Sequence, residues 1–160
     1  MTRAFVALGS NLHDPRAQVL RGFDALAHLP GTGLIGRSRL YRSAPWGVTG
    51  QPEFVNAAAE LETSLAPREL LDALLAIERA AGRDRSVGRW GPRVLDLDLL
   101  LYDAVSLHEP GLTLPHPHLH ERAFVLLPLN DLAPDLEVPG HGGMRELLAR
   151  VGAGGCALLP

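Results

Sequence analysis

Hydrophobic and polar positions along the chain follow two different periods, one typical of strands and one typical of helices. Apolar residues recur at helical spacing after Asp14-Pro15 and again from Pro67 until Gly82, and the flanking residues are ordinary helix start and stop signals. Four other segments alternate or run apolar with the period of a strand: residues 3–9, 33–42, 53–62 and 94–102. The order βαββαβ predicts a ferredoxin-like α/β (α+β) fold, an antiparallel sheet with helices packed on one face and the active site on the other.

The remaining segments complete this outline. Gly9-Ser10-Asn11 is predicted to be a turn, and residues 43–52 and 103–112 have no predicted regular structure. A short helix over residues 121–132 should be interrupted by Pro128, because proline cannot donate a helix hydrogen bond. A tail helix is expected over residues 143–151. With no repeat or low-complexity linker, residues 1–160 are expected to form a single domain.

Two carboxylates occupy one face of the fourth predicted strand. Asp96 and Asp98 are two residues apart, so their Cα atoms lie roughly 7 Å apart on the same side. Paired anionic oxygens suit a hard cation such as Mg²⁺. The strand is the most apolar in the chain, which predicts a central position, where charges cost several kcal/mol (about 3–5) unless paired or metal-bound. A solvated edge strand with salt bridges to arginine is the alternative interpretation.

Four arginines directly precede these carboxylates: Arg83, Arg85, Arg89 and Arg93. Guanidinium groups bind phosphate oxygens, and the intervening glycines would let the loop close as a lid. A solvated connector is the alternative. All fifteen basic residues are arginine, which excludes a Walker A lysine, a kinase strand lysine and a Schiff-base lysine.

Composition and charge limit the binding partners and the cellular location that we expect for the protein. The net charge of −3 argues against broad nucleic-acid binding, and no apolar run reaches the roughly 18 residues that a membrane span needs. The start of the chain lacks the pattern of a signal peptide, and Cys156 is the single cysteine. We therefore expect a cytoplasmic protein that binds neither nucleic acid nor membrane.

Three further groups are candidates for chemistry. Phe54 and Asn56 share a strand face, where an aromatic ring and an amide could bind a flat heterocycle; core packing is the alternative for Phe54. Glu78, taken alone, is predicted to be a surface carboxylate. The alternating histidines 116, 118 and 120 invite a zinc hypothesis, but no cysteine lies nearby, so a single histidine that contacts a phosphate is favoured.

Taken together, the sequence closely resembles the hydroxymethyldihydropterin pyrophosphokinases of folate biosynthesis over roughly residues 4–135. The most specific segment is Arg89-Trp-Gly-Pro-Arg-Val-Leu-Asp-Leu-Asp-Leu99. The other matching segments are Ala7-Leu-Gly-Ser-Asn-Leu12, Tyr41-Arg-Ser-Ala-Pro-Trp-Gly47, Gln51-Pro-Glu-Phe-Val-Asn-Ala-Ala58, Glu78 with Gly82-Arg83, Pro115-His-Pro117, Arg122-Ala-Phe-Val-Leu-Leu-Pro-Leu129 and Leu132-Ala-Pro134.

The resemblance implies transfer of diphosphate from ATP to the hydroxymethyl group of the dihydropterin, with release of AMP, by a monomer. It implies two Mg²⁺ ions on Asp96 and Asp98, with Arg83 and Arg93 as catalytic partners. It also implies two sets of binding residues. For the pterin these are Ser43, Trp46, Phe54, Asn56 and Phe124; for ATP they are Glu78, Arg85, Arg89, Leu99, Thr113, His116 and Arg122.

Two other functions stay open on the residues themselves. A ferredoxin-like RNA-binding module would stack bases on sheet aromatics, although aromatics make up only 5% of the chain. A metal-dependent phosphohydrolase would use the same aspartates with water as the acceptor.

Overall fold

A computed structural model of the chain describes residues 1–44, 52–82 and 94–160. A short 3-10 helix at Leu119–Glu121 precedes the third α-helix. In chain order the strands and α-helices are β1 (Thr2–Ser10), α1 (Pro15–Ala27), β2 (Thr32–Arg37), β3 (Tyr41–Ser43), β4 (Phe54–Thr63), α2 (Pro67–Ala80), β5 (Asp96–Tyr102), β6 (Leu107–Glu109), β7 (Leu112–Leu114), α3 (Ala123–Leu132), β8 (Glu137–Val138), β9 (Gly142–Gly143), α4 (Met144–Val151) and β10 (Ala157–Leu158).

The main sheet is antiparallel and has the strand order β10-β3-β4-β1-β5, with β2 also paired to β4. β2 and β3 follow one another along the same edge of β4. Counted as one interrupted strand, they complete the βαββαβ order with α1 and α2 as its crossovers. The predicted ferredoxin-like α+β fold is confirmed.

The predicted strand over residues 33–42 is divided in two at Ser38. There the amide of Ser38 still donates to the carbonyl of Ala58 (2.9 Å), but the Ala58 amide donates to the Ser38 hydroxyl (2.7 Å). A side chain thus replaces a backbone group in the ladder, and such local competition ends regular pairing. β2 and β3 therefore meet β4 as separate pieces, and β3 is only three residues long.

Helices α1 and α2 pack on one face of the sheet. Asp14 caps α1, since its Oδ1 accepts from the amide of Ala17 at 3.3 Å, as predicted. Phe23 and Leu26 of α1, with Leu70 and Leu74 of α2, are fully buried against the sheet. The sheet contributes alternate residues of β1, β4 and β5 to this cluster: Ala4, Val6, Leu8, Val55, Ala57, Ala59, Leu61, Leu97 and Leu99.

Helices α3 and α4 cover part of the opposite face. Leu126 and Leu129 of α3 and Leu147 of α4 pack with Phe5 and Leu100 in a second buried cluster. α3 lies against β4, β3 and β1.

The predicted interruption of this helix is wrong, because α3 continues through Pro128 to Leu132. Pro128 is the sixth residue of the helix and is buried, so the packing of the flanking leucines stabilises the helix where a hydrogen-bond donor is missing.

β5 is an edge strand rather than the central strand that its apolar sequence predicted. Its leucines are buried because helices cover both faces, and its outer edge faces α2 and β7. Burial by helices and burial by neighbouring strands produce the same apolar sequence. The edge position leaves the backbone of β5 available to other groups.

Smaller differences lie at the ends of elements. Ser10 is the last residue of β1, paired with Val55, rather than part of a turn, and the following Asn11 is buried. The hairpin of β6 and β7 was not predicted, nor were the short strands β8, β9 and β10. In the described ranges, no helix combines the length and the apolar character needed to cross a membrane.

Candidate functional site

Asn56, Gly9 and Asp96 form one row across strands β4, β1 and β5. Gly9 is paired with Asn56 on one side and with Asp96 on the other. Directly paired residues project to the same face, so the Asn56 amide and the Asp96 carboxylate share the face opposite α1 and α2. Two strand spacings separate their Cα atoms, about 10 Å. Asp98 lies on the same face in the next such row, paired with Ala7.

A polar pair marks one end of this row. The Nδ2 of Asn56 donates to the hydroxyl of Ser43 at 2.7 Å, and both residues are buried. Phe54 is paired with Ser43 and shares its face. A Cβ on Gly9 would lie 3.6 Å from Oδ1 of Asn56 and 3.8 Å from Cδ1 of Phe54. The missing side chain of Gly9 therefore leaves space beside an aromatic ring and an amide.

α3 brings a second aromatic ring to this face. Phe124 belongs to the cluster on the α3 and α4 side of the sheet, and the guanidinium carbon of Arg122 lies 5.6 Å from the centre of its ring. That distance permits a cation–π interaction. The candidate pterin residue Phe124 and the candidate ATP residue Arg122 are thus in contact.

Asp96 and Asp98 are both half-buried on β5. The two carboxylates offer oxygen donors from one face of one strand, which suits Mg²⁺ or another hard cation. No group of three or more His, Cys, Asp or Glu residues that could hold a metal occurs within residues 1–44, 52–82 and 94–160. A cation here would therefore complete its coordination with water or substrate oxygens, which is the usual behaviour of Mg²⁺.

Glu78 is buried, with 1% of its surface exposed, so the prediction of a surface carboxylate is wrong. Its Oε2 accepts a hydrogen bond of 2.7 Å from the amide of Leu97. Leu97 lies between Asp96 and Asp98, so Glu78 holds the outer edge of β5 at the level of both aspartates. The sequence contained a signal for this burial, since Glu78 continues the stripe of Leu70 and Leu74 at intervals of four.

A cavity of about 270 Å³ opens at the free edge of β5, between α2 and β7. It brings together five candidate residues from three elements and the segment after β7: Glu78, Asp98, Leu99, Thr113 and His116. Leu71 and Leu75 of α2 supply an apolar wall. Strand alternation directs the backbone N–H of Leu99 to the same outer side as that of Leu97, so the cavity has both an apolar wall and a polar edge.

His116 is a neutral imidazole at pH 7. Burial, with smaller contributions from the charges of Arg122 and His118, lowers its pKa to about 4, against an opposing effect of Asp96. The amide of His118 donates to Nδ1 of His116 at 3.2 Å. Nδ1 is therefore the acceptor, and Nε2 carries the proton and can donate to a ligand.

The three alternating histidines are used separately. His118 Nδ1 lies 2.7 Å from the carboxylate of Glu121. The ring of His120 stacks on that of His141, with 3.8 Å between the centroids. Only His116 lines the cavity at β5, so the three rings do not share one ligand position.

Several candidate residues lie outside the described part of the chain: Trp46, Arg83, Arg85, Arg89 and Arg93. Sequence reasoning also missed Gly9 and the amide of Leu97. Neither could be recognised from a pattern of side chains, because Gly9 has no side chain and Leu97 contributes its backbone amide.

The fold and this site define an α+β protein with two adjoining candidate binding positions, one on a sheet face and one at a sheet edge. Comparison with known proteins identifies the family. A model of the family described as "7,8-dihydro-6-hydroxymethylpterin-pyrophosphokinase (HPPK)" matches residues 5–134. The chain belongs to this family.

Relatives match over almost the whole chain. The 2-amino-4-hydroxy-6-hydroxymethyldihydropteridine pyrophosphokinase of Pseudomonas aeruginosa is 52% identical over 158 residues, which are 99% of this chain and 97% of the relative. The protein of the same name from Methylorubrum extorquens is 46% identical, over 97% of each chain.

Solved structures show the same fold. The crystal structure of wild-type Plasmodium falciparum HPPK-DHPS with pteroate superposes with a TM-score of 0.73 at 15% identity, over 93% of this chain. An HPPK-DHPS in complex with substrates gives 0.72 at 13% identity, over 94% of this chain. This chain spans less than half of those two chains, 42% and 45% respectively.

Proposed function

We propose that the chain transfers diphosphate from ATP to the hydroxymethyl group of 6-hydroxymethyl-7,8-dihydropterin and releases AMP. This step belongs to folate biosynthesis. The observation that carries the proposal is the row of Asn56, Gly9 and Asp96, which joins a pocket for a flat polar ring to a pair of carboxylates. Family membership supports the same reaction.

The pterin occupies the face beside Gly9. Asn56 and Ser43 offer a donor and acceptors to the polar edge of the ring. Phe54 and Phe124, from the sheet and from α3, provide its two aromatic surfaces. In this orientation the hydroxymethyl group points along the row toward Asp96. Trp46, outside the described residues, completes this pocket in our proposal.

The nucleotide occupies the cavity at the edge of β5. Leu71 and Leu75 contact the base, and the backbone of Leu99 with the Thr113 hydroxyl gives it polar partners. The Nε2–H of His116 donates to a phosphate oxygen, which a neutral imidazole can do without adding charge. Glu78 acts through β5, because its bond to the Leu97 amide fixes the strand that carries both aspartates.

Asp96 and Asp98 hold Mg²⁺, two ions in our proposal. The fit rests on two half-buried carboxylates on one face of β5, beside the positions proposed for both substrates. When bound, Mg²⁺ neutralises phosphate charge and lowers the pKa of a coordinated hydroxyl. The aspartates fix the relative positions of the two substrates.

Arginines neutralise the rest of the charge. Arg122 already lies beside Phe124 and influences His116, which is consistent with a contact to the phosphates. Arg83 and Arg93 stabilise charge on the leaving group, and Arg85 and Arg89 bind phosphate oxygens. These four roles rest on the sequence and on guanidinium chemistry.

The reaction exchanges one phosphorus–oxygen bond for another. The hydroxymethyl oxygen bonds to the β-phosphorus while the bond from this phosphorus to the oxygen bridging to the α-phosphate breaks. AMP leaves with that oxygen, the β,γ-diphosphate stays on the pterin, and the hydroxyl proton passes to solvent. Such a transfer needs alignment and charge neutralisation more than covalent help, so no general base is assigned.

Specific features of the structure argue against the two alternative functions, an RNA-binding module and a phosphohydrolase. An RNA-binding module needs an open sheet face, whereas α3 and α4 cover part of this one. A phosphohydrolase uses water as its acceptor, so it would not need the Ser43 and Asn56 pair on the same sheet face as the aspartates.

Three further points complete the proposal. One chain supplies both positions, so we propose a monomer. Residues 1–160 form one domain, because the two buried clusters share β1 and β5. The need for ATP favours the cytoplasm.

A direct experiment is an AMP-release assay with the purified protein. AMP should accumulate only when ATP, Mg²⁺ and the dihydropterin are all present. AMP or ADP formed without the pterin would favour the phosphohydrolase.

A further inference from the structure

A partly buried network joins helix α3 to strand β3 next to the candidate pterin pocket. The carboxylate of Asp131, 11% exposed, accepts from the Tyr41 hydroxyl at 2.9 Å. It also accepts from Arg39 three times: from the backbone amide at 3.0 Å, from Nε at 3.1 Å and from Nη2 at 2.9 Å. A two-pronged guanidinium contact with an added hydroxyl fixes both the distance and the orientation of the carboxylate.

Arg39 and Asp131 carry opposite charges, and both are hydrogen-bonded to the Tyr41 hydroxyl. Burial alone would raise the pKa of Asp131, but the hydrogen bonds from Arg39 and Tyr41 outweigh it, and the pKa is lowered. Arg39 also donates to the Tyr41 hydroxyl at 3.2 Å, and its guanidinium carbon lies 5.9 Å from the centre of the Tyr41 ring. Each of the three groups therefore contacts the other two.

On the helix side, the network and an aromatic wall of the pocket share one rigid element. Asp131 follows Phe124 by seven residues in α3, nearly two helical turns. The two side chains therefore lie on the same side of the helix, about 10 Å apart along its axis. A shift of α3 at Asp131 moves Phe124 with it.

On the sheet side, the network shares a strand with the other part of the pocket. Tyr41 is paired with Asn56, and Ser43 lies two residues further along β3, on the same face. Ser43 accepts the hydrogen bond from Asn56. β3 is only three residues long and is paired with β4 on one side and β10 on the other, so Tyr41 is joined directly to Asn56 through the sheet.

We propose that Asp131 is a positioning residue that, through Tyr41 and Arg39, sets the separation between Phe124 on α3 and the Phe54 and Asn56 surface on β4, and so controls pterin affinity. This inference rests on the proposed function. ATP affinity should not depend on the network, because the cavity at β5 uses none of these residues.

The test compares Asp131→Asn and Tyr41→Phe with the wild type. Asp131→Asn keeps the shape but presents an amide N–H to the donors of Arg39. Tyr41→Phe removes the hydroxyl, and with it the bond to Asp131 and the bond from Arg39, but leaves the ion pair of Arg39 and Asp131 in place. We expect the KM for the pterin to rise about tenfold in the first and about threefold in the second, because the first removes the charge that the two-pronged contact with Arg39 requires and the second leaves that contact intact. The KM for ATP should stay within about twofold, a change of less than 0.5 kcal/mol.

Two comparisons make the result specific. Asp24→Asn, which opens the exposed ion pair with Arg37 on the α1 and β2 side, should leave both KM values unchanged. The variant Asp131→Asn with Tyr41→Phe should raise the KM for the pterin no more than Asp131→Asn alone, because one network is already broken.

Different outcomes would contradict the positioning role of Asp131 and the proposed function. An active wild type whose Asp131→Asn variant keeps its pterin KM, or loses only kcat in step with its folded fraction, overturns the inference alone. A wild type that releases no AMP with both substrates overturns the proposed function, and the inference with it.

Discussion

Asn56 and Asp96 lie at the same level of the sheet, each paired with Gly9 from opposite sides. An amide that can bind a polar ring edge and a carboxylate that can bind a cation are therefore held about 10 Å apart by backbone pairing alone. The row connects the acceptor end of the site to its phosphate end. Its central residue, Gly9, has no side chain, and a substitution there tests whether the space beside it is part of the pocket.

Gly9→Val should weaken pterin binding without unfolding the protein. A Cβ at this position meets its neighbours at 3.6 Å or more, an ordinary contact, while the two methyl groups of valine extend into the space beside Phe54 and Asn56. The methyl groups take up space that the pterin ring would fill, so we expect the KM for the pterin to rise about tenfold or more, a loss of at least about 1.4 kcal/mol in binding.

Gly33→Val is the matched control for this change. Gly33 lies on β2, where an added Cβ has nothing within 4 Å. Steady-state kinetics of the two variants should differ in pterin KM alone; equal KM values would mean that the space at Gly9 is not part of the pocket.

Asp96→Asn and Asp98→Asn should each abolish AMP release in a protein that stays folded. Both side chains are only half-buried, so an amide of the same shape costs little stability. Loss of a charged ligand at the reacting phosphates should lower kcat by about 1,000-fold. Circular dichroism checks the fold, and Asp103→Asn, at the exposed position directly after β5, is the control. Turnover within a few-fold of the wild type would remove the aspartates from the mechanism.

Glu78→Ala should lower both stability and activity. The substitution leaves the amide of Leu97 without its acceptor at the edge of β5, which costs about 1–3 kcal/mol in the free energy of unfolding. The aspartates on either side lose their fixed position, so kcat should fall as well. Glu62→Ala removes an exposed carboxylate of β4 and should do neither. A Glu78→Ala variant as stable as Glu62→Ala in urea unfolding would show that the bond to Leu97 is not stabilising.

His116 should make stability depend on pH between about 4 and 6.5. Its pKa is lowered from 6.5 to about 4 in the folded protein, so the unfolded chain binds more protons in this window. Stability from this group is therefore complete above pH 6.5 and is lost as the pH falls toward 4. Between pH 6.5 and 5 the loss is roughly 2 kcal/mol.

The contribution of His116 to this pH dependence is isolated by comparing variants with the wild type. Urea unfolding of metal-free His116→Gln should show a shallower loss of stability over this range than the wild type, while His108→Gln, at an exposed position on β6, should follow the wild type. Identical slopes for His116→Gln and the wild type would contradict the burial of a neutral imidazole.

Local patterns in the sequence predicted the elements that carry the site. The period of two in β4 and β5 predicted which residues share a face, and the face opposite α1 and α2 carries Asn56, Asp96 and Asp98 as expected. The cap at Asp14 and the apolar stripe of α2 were equally local. These features depend on residues within a few positions of one another.

Features that depend on distant partners were not predictable in the same way. β5 was expected at the centre of the sheet, because an apolar strand does not indicate whether strands or helices cover it. The break at Ser38 depends on Ala58, and the ion pair of Arg39 depends on Asp131, 92 residues away. Long-range hydrogen bonds of this kind have no periodic signal in the sequence.

The most direct test of the proposed function is the product formed from ATP by the wild-type protein. With Mg²⁺ and 6-hydroxymethyl-7,8-dihydropterin, chromatography should show AMP and pyrophosphorylated pterin in equal amounts, with no ADP, and addition of EDTA or omission of the pterin should stop both. ADP as the product, or AMP released at the same rate without the pterin, would contradict diphosphate transfer.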